Sequence, residues 1–184
     1  MSKAKGKAYE TVAYAGIPIV GVLFFITHGS RIDPFIVLIT EMLLMFGYIT
    51  AMQDLKTKRI PNGLVLAMFA AWMIVMLPKL FIDTRVAVIL LKNSALGFLI
   101  GGGMFLLVYV ISRKGLGGGD VKFMAASGLY LGIGGVFTTM FYGTSLAALV
   151  GIVLILLKRI GRKDSIPLAP FLYIGILITA FTLR

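Results

Sequence analysis

The fold is decided by the apolar run Phe123-Met-Ala-Ala-Ser-Gly-Leu-Tyr-Leu-Gly-Ile-Gly-Gly-Val136, which continues without a charge to Leu157. As one helix, these 35 residues would be about 52 Å long, whereas the hydrocarbon core of a bilayer is about 30 Å thick. The segment Gly132-Ile-Gly-Gly135 offers a break, because glycine favours turns and weakens helix interiors. We therefore predict a full span near Val136–Leu157 and a short helix near Val121–Leu131, which needs neighbouring helices or a wet cavity around it.

Composition places the whole chain in a membrane. Hydrophobic residues make up 59% of the 184 and charged residues 14%, which disfavours a soluble enzyme, a secreted disulfide scaffold and a disordered protein. The sequence predicts one membrane-embedded domain over residues 1–184, an all-α polytopic helix bundle with six to seven transmembrane helices. The other apolar runs of spanning length are Thr11–Ser30, Pro34–Gln53, Ile60–Pro78, Asn93–Ser112 and Ser165–Leu183.

The basic residues indicate how the helices are oriented. Lysine and arginine total 18 against seven acids, and such residues concentrate in the cytoplasmic loops of membrane proteins. Nucleic-acid binding is disfavoured, because no basic stripe carries interleaved aromatic residues. Seven crossings with a cytoplasmic N-terminus put 13 basic residues inside and five outside, as expected for a multi-pass protein of the cell membrane. The inside set is Lys3, Lys5, Lys7, Lys56, Lys58, Arg59, Arg113, Lys114, Lys122, Lys158, Arg159, Arg162 and Lys163; the outside set is Arg31, Lys79, Arg85, Lys92 and Arg184.

Three of the seven acids, Glu41, Asp54 and Asp120, lie where solvation in a loop or terminus does not explain them. Asp54 ends the second span and Asp120 follows the fourth, so the topology places both at the cytoplasmic membrane surface. Glu41 lies about 20 Å from Asp54 along the same helix and is expected to be a buried packing or hydrogen-bonding residue outside their site. Cysteine is absent and His28 is the single histidine, which excludes disulfides, thiol chemistry and Cys- or His-cluster metal sites.

Two carboxylates in one site are suited to peptide hydrolysis, because they do not both ionise easily and therefore share a proton. The ionised group takes a proton from water, while the protonated group polarises the peptide carbonyl and helps the amine to leave. Purely structural roles also fit these residues: Asp120 as a cap of the helix that follows it, and Asp54 as a solvated residue at a helix end.

Three short motifs surround these aspartates and begin the last span. They read Asp54-Leu-Lys-Thr-Lys-Arg-Ile-Pro-Asn62, Gly117-Gly-Gly-Asp-Val-Lys122 and Ile166-Pro-Leu-Ala-Pro-Phe171. In order and predicted membrane face they resemble the prepilin peptidase family, the type IV prepilin and preflagellin peptidases, which are GxGD membrane aspartic proteases. The resemblance covers the chain from about Met52 to Phe171 and is closest to the compact members of the family.

This resemblance implies an aspartic endopeptidase whose catalytic pair is Asp54 and Asp120, with no metal and no cofactor. It implies cleavage of the N-terminal leader of pilin-like or archaellin-like precursors at the cytoplasmic membrane face, in type IV pilus assembly or secretion. Larger members that also methylate the new N-terminus carry a domain with paired cysteines, so we expect no methyltransferase activity here. The residues expected to bind substrate or tune the pair are Gly117, Gly118, Gly119, Lys56, Arg59, Asn62 and Lys122.

Two other functions are alternatives. A small proton-coupled transporter would carry acids near the bilayer midplane, a condition that only Glu41 meets. A non-catalytic scaffold for pilus assembly would tolerate asparagine in place of both Asp54 and Asp120.

Overall fold

The computed structural model describes residues 16–29, 32–112, 115–161 and 165–183, and this part of the chain is all-helical. Four of its helices are long and apolar enough to cross a membrane, and two apolar helices are shorter. The predicted all-α membrane bundle is therefore confirmed. The helices are α1 (Gly16–His28), α2 (Pro34–Thr57), α3 (Asn62–Ile82), α4 (Thr84–Ile111), α5 (Gly118–Leu156) and α6 (Ala169–Leu183), of which α2 to α5 are the long ones.

Some sequence predictions fall on residues outside the described part. The first predicted span is described from residue 16 to residue 29. The charged residues outside the described part are Lys3, Lys5, Lys7, Glu10, Arg31, Arg113, Lys114, Arg162, Lys163, Asp164 and Arg184.

The predicted break in the long apolar run is confirmed at Gly132, whose φ of 65° and ψ of −170° are not helical. The chain turns back there, because a Cβ placed on Gly101 of α4 would lie 2.8 Å from the carbonyl oxygen of Met124 and 2.9 Å from Cγ2 of Val136. In one continuous helix, residues 124 and 136 would be about 18 Å apart. α5 therefore consists of a short arm, 118–131, and a long arm, 133–156, which returns beside it.

Asn93 of α4 holds this turn. Its Oδ1 accepts a hydrogen bond from the N–H of Ile133 at 3.1 Å, and a backbone donor at such a break needs a partner when water is absent. A Cβ on Gly132 would collide with the Asn93 side chain, so the contact and the positive φ both require glycine. The short arm is about 21 Å long, which is less than the thickness of the hydrocarbon core.

Glycines bring α4 and the short arm of α5 into backbone contact. Gly97 lies against the carbonyl oxygen of Gly128, and a Cβ on Gly102 would lie 2.8 Å from the Cβ of Ala125. This pairing makes the two segments antiparallel. The close approach requires glycine, because any side chain at Gly97 would separate the backbones.

The predicted start of the fourth span at Asn93 is wrong, because α4 begins at Thr84. Asp83 caps this helix through a hydrogen bond of 3.3 Å from the N–H of Val86 to its Oδ1. The charges that interrupted the apolar pattern, Arg85 and Lys92, lie on the helix with exposed side chains. Long basic side chains near the end of a span reach water beyond the hydrocarbon.

Asp54 and Asp120 lie at one end of the bundle, which we call the site end. α2 and α4 end there and α3, α5 and α6 begin there, while Ala147 and Ala148 of the long arm line the same cavity as the two aspartates. The helices therefore run in the directions that the predicted seven-crossing topology requires. Of the described basic residues, those at the site end are Lys56, Lys58, Arg59, Lys122, Lys158 and Arg159, and those in the opposite half are Lys79, Arg85 and Lys92.

α1 packs antiparallel on α2, and Glu41 lies at this contact rather than near Asp54. A Cβ on Gly21 would lie 2.6 Å from Oε2 of Glu41, and a Cβ on Gly16 would lie 2.5 Å from the hydroxyl oxygen of Tyr48. Oε1 of Glu41 is buried and has no hydrogen-bond partner among the described residues. Glu41 is therefore a packing residue outside the aspartate site, as the helix geometry predicts.

We expect Gly97→Ala to lower the free energy of unfolding by about 1–3 kcal/mol, because its Cβ would overlap the backbone of Gly128. The matched control is Gly103→Ala in the same helix, where a Cβ would meet nothing within 4 Å. Thermal unfolding in detergent measures both variants. Equal unfolding temperatures for the two would contradict the packing of α4 on α5.

Candidate active site

Asp54 is fixed by the start of α6. Its Oδ2 accepts a buried hydrogen bond of 3.0 Å from the N–H of Ala169, the first residue of that helix, and the N–H of Leu168 also bonds to the carboxylate. α2 ends one turn later at Lys58, whose N–H donates to the carbonyl oxygen of Asp54 at 2.8 Å. Since Asp54 is only 5% exposed, its interpretation as a solvated helix-end residue is wrong.

Asp120 is the third residue of α5, not the cap of a helix that begins after it. The cap position belongs to Gly117, and the Asp120 carboxylate accepts a hydrogen bond from the Gly117 N–H. Asp120 is 9% exposed, and its Oδ1 has no hydrogen-bond partner among the described residues. A buried carboxyl oxygen without a partner is costly for a purely structural residue.

The two aspartates line one cavity of about 380 Å³ at the site end, and the charge of Asp54 acts on Asp120 across it. The fold thus brings together two residues that lie 66 positions apart in the sequence. The cavity combines two carboxylates with room for a water molecule and a peptide group, which is what acid–base hydrolysis requires. In the described part of the chain, no cluster of three histidine, cysteine or acidic residues is placed to hold a metal ion. The other lining residues are Lys58, Gly115, Leu116, Gly117, Ala147, Ala148, Ser165, Ile166, Pro167 and Leu168.

Direct contacts join the first motif to the second. A Cβ on Gly119 would lie 3.1 Å from the Cβ of Ile60, so the loop after α2 packs on the first turn of α5. Beyond this contact, the ammonium of Lys122 donates a hydrogen bond of 2.9 Å to Oδ1 of Asn62. The glycine at position 119 therefore allows the two aspartate-bearing segments to approach each other.

The residues predicted to bind substrate divide into two groups. Gly117 lines the cavity with the aspartates, whereas Gly118 and Gly119 lie outside it on the first turn of α5. Arg59 and Asn62 line a separate cavity beside the loop after α2, and Lys56 is exposed at the end of that helix. Lys122 reaches Asn62 rather than the aspartates.

Sequence reasoning gave Lys58 no role in the site, and it quoted the motif 166–171 without assigning it a contact with Asp54. Lys58 lines the aspartate cavity, and its ammonium donates a hydrogen bond of 2.9 Å to the carbonyl oxygen of Ser165. The signal for Lys58 was its position four residues after Asp54, because such residues face the same way on a helix. The backbone N–H groups that bind Asp54 carry no side-chain signal.

Comparison with known proteins agrees with this architecture. Residues 41–152, more than half of the chain, match the type IV leader peptidase family. The chain belongs to this family of membrane peptidases. The match runs from the middle of α2 to the long arm of α5 and includes both aspartates. No solved structure matches the chain significantly.

Two curated relatives carry the name prepilin leader peptidase/N-methyltransferase. The protein of Bacillus subtilis is 31% identical over 85 residues, which are 46% of this chain and 33% of the relative. The protein of Xanthomonas campestris pv. campestris is 25% identical over 123 residues, which are 66% of this chain and 42% of the relative. The chain thus spans less than half the length of either protein.

Replacing Ile60 and Gly119 by cysteine is expected to give a disulfide on mild oxidation, since the chain has no other cysteine. The two Cβ atoms would lie 3.1 Å apart, within a few tenths of an ångström of the roughly 3.5–4.5 Å that a disulfide needs. Protection from thiol alkylation, read by mass spectrometry, measures the bond.

The control for this pair is Ile60→Cys combined with Gly118→Cys. A Cβ at position 118 would meet only Tyr109 within 4 Å, so this neighbouring pair is expected to stay reduced. Equal oxidation of both pairs would contradict the contact between the first two motifs.

Proposed function

We propose that this chain is an aspartic endopeptidase that removes the N-terminal leader from pilin-like or archaellin-like precursors. The observation that carries the proposal is the meeting of Asp54 and Asp120, both buried, in one cavity at one end of the bundle. The relatives' names support a leader peptide as the substrate.

The chemistry proposed for the pair is general acid–base catalysis. One carboxylate activates a water molecule for attack on the scissile carbonyl, and the other, protonated, polarises the carbonyl oxygen. Because two adjacent carboxylates resist simultaneous ionisation, they share one proton, and their titration belongs to the pair. Gly117 leaves the side of the cavity next to Asp120 free of a side chain, which gives a substrate backbone access to the acid.

The substrate class follows from where the cavity lies. Precursors of this class join a short leader to an apolar helix, and that helix would pack against the bundle within the membrane. The leader junction would then lie at the site end, beside the cavity. Six described basic residues surround this end, which by the positive-inside rule favours the cytoplasmic face. The expectation that Gly118, Gly119, Lys56, Arg59, Asn62 and Lys122 contribute to substrate binding remains part of the proposal.

We expect Asp54→Asn and Asp120→Asn each to lower the cleavage rate at least about a hundredfold, the contribution typical of a general acid or base. Both variants should accumulate in the membrane, since asparagine keeps the shape of the side chain. The assay is co-expression with each pilin-like precursor of the source genome, with mass spectrometry to identify leader loss, the cleaved bond and any methylation of the new N-terminus.

The control for this experiment is Asp83→Asn, which makes the same chemical change at the cap of α4 in the opposite half of the bundle. Full cleavage by either site variant would reject the catalytic pair. A scaffold would instead support pilus assembly with asparagine at both positions. Glu41→Gln tests the transporter, because a proton relay at this intramembrane acid would be lost in the variant, whereas cleavage by a peptidase would be retained.

We expect Gly117→Ala to lower the cleavage rate about ten- to hundredfold while the protein still accumulates. Its Cβ would lie 2.7 Å from Oδ2 of Asp120 and would displace the carboxylate, and small misplacements of a catalytic group have effects of that size. Gly118→Ala adds a Cβ that meets only the ring of Tyr109, at 3.9 Å, and should lower the cleavage rate much less. Initial cleavage rates of the two purified variants provide the test, and equal losses would contradict it.

A further inference from the structure

We propose that Lys58 is a positioning residue that holds Asp54 as the ionised member of the pair and leaves the proton on Asp120. This inference rests on the proposed peptidase function and assigns the two aspartates different tasks. Neither the first motif nor the relatives' names distinguish Lys58 from the other two basic residues in the loop after α2, Lys56 and Arg59.

The conformation of Lys58 is unusual for a lysine. It ends α2 in the left-handed region, with φ 50° and ψ 34°, where glycine or asparagine is the common residue. Lys158 has a similar left-handed φ of 54° after α5, so this conformation by itself assigns no role to Lys58. The turn directs the side chain into the aspartate cavity, where the ammonium bonds to the carbonyl oxygen of Ser165 at 2.9 Å.

This hydrogen bond connects Lys58 to the segment that binds Asp54. Ser165 is four residues before Ala169, whose N–H donates to Oδ2 of Asp54 at 3.0 Å. Burial favours the neutral form of Asp54, and the two backbone donors at the start of α6 and then the positive charge of Lys58 oppose that effect. Backbone N–H groups at a helix start and a nearby cation all favour the charged form of a carboxylate.

Asp120 has a different environment. Its carboxylate bonds to the Gly117 N–H, while its Oδ1 has no partner among the described residues. A buried carboxyl group whose oxygen has no hydrogen-bond donor is more stable in its protonated form. Asp54, which lines the same cavity, has donors from the start of α6 and the cation Lys58 to favour its charged form.

Few other charged groups act on Asp54. Among the described residues that line its cavity, the charged ones are Lys58 and Asp120. α6 has no charged side chain, and its Tyr173 lies deeper in the bundle, where it packs against Tyr48 of α2. In α3 the single charged residue is Lys79, near the end far from the site. Among the described cations, Lys58 is thus the one that lines the cavity and acts on Asp54.

The assignment gives a balanced reaction. Asp54 takes one proton from water as the water oxygen bonds to the carbonyl carbon, and Asp120 gives its proton to the carbonyl oxygen. When the carbon–nitrogen bond breaks, the nitrogen takes the proton from Asp54 and a hydroxyl group of the diol returns one to Asp120. The products are a carboxylic acid and an amine, and both aspartates regain their starting states.

The test uses Lys58→Gln, which removes the charge but retains a hydrogen-bond donor for Ser165. Without the cation, Asp54 ionises less readily, so the acidic limb of the kcat/KM profile should move to higher pH by about one unit, the lower end of the effect of a nearby opposite charge. On the acidic limb, this shift lowers kcat/KM roughly tenfold, whereas kcat/KM at the pH optimum falls much less. Lys58→Arg should restore the wild-type limb.

The matched control is Lys158→Met, which removes one positive charge from the site end outside the cavity and should leave the profile unchanged. The substrate is the precursor that the wild-type protein cleaves in the co-expression assay. An unshifted acidic limb in Lys58→Gln, or an equal shift in Lys158→Met, would overturn the role of Lys58 while the peptidase proposal stands. Failure of both Lys58 variants to accumulate would show a structural role and also reject the inference. Absence of cleavage by the wild-type protein would reject the peptidase function itself.

Discussion

The backbone contact between α4 and the short arm of α5 is the constraint on which the site depends. The short arm carries Asp120 but is about 21 Å long, so it has no stable position in a bilayer on its own. The contact of Gly97 with Gly128 fixes the short arm beside α4, and Asn93 accepts a hydrogen bond from the backbone where the chain turns back. These glycines set the depth of Asp120 in the protein, and the contact of Gly119 with Ile60 brings its segment close to that of Asp54.

Within the cavity, backbone groups do most of the positioning. Asp54 is bound by N–H groups at the start of α6, and Asp120 by the N–H of Gly117 at the start of its own helix. Two helix starts therefore meet at a pair of acids, and each favours negative charge nearby. The unequal number of donors makes the two carboxylates different, although the residue type is the same.

The sequence was sufficient to predict the parts of the structure that depend on segment length, charge and residue type. The run 123–157 is too long for one span and contains a glycine cluster, so its break at Gly132 was predictable. The placement of Asp54 and Asp120 at one end followed from the sorting of lysine and arginine. The start of α4 was not predictable from apolar runs, because Arg85 and Lys92 extend from the helix surface to water.

Other parts of the site depend on contacts that have no sequence signature. Ala169 binds Asp54 through its N–H, which every residue except proline possesses, so no residue pattern marks it. Asp120 was expected before its helix and lies inside the first turn, because Gly117 takes the cap position. Lys58 lies four residues after Asp54, unlike Lys56 and Arg59, but the left-handed turn that it and Lys158 adopt is rare for lysine and no pattern predicts it.

The half-length arm of α5 also has a consequence for biosynthesis. As the chain leaves the ribosome, α2 inserts with Asp54 long before the short arm appears, and that arm is held in the bilayer only against α4, which precedes it. The partner donors at Leu168 and Ala169 emerge after both aspartates, with α6. The carboxylate pair is therefore complete only once α6 has been synthesised, so a chain that stalls before α6 carries Asp54 without its anchor and has no assembled cavity.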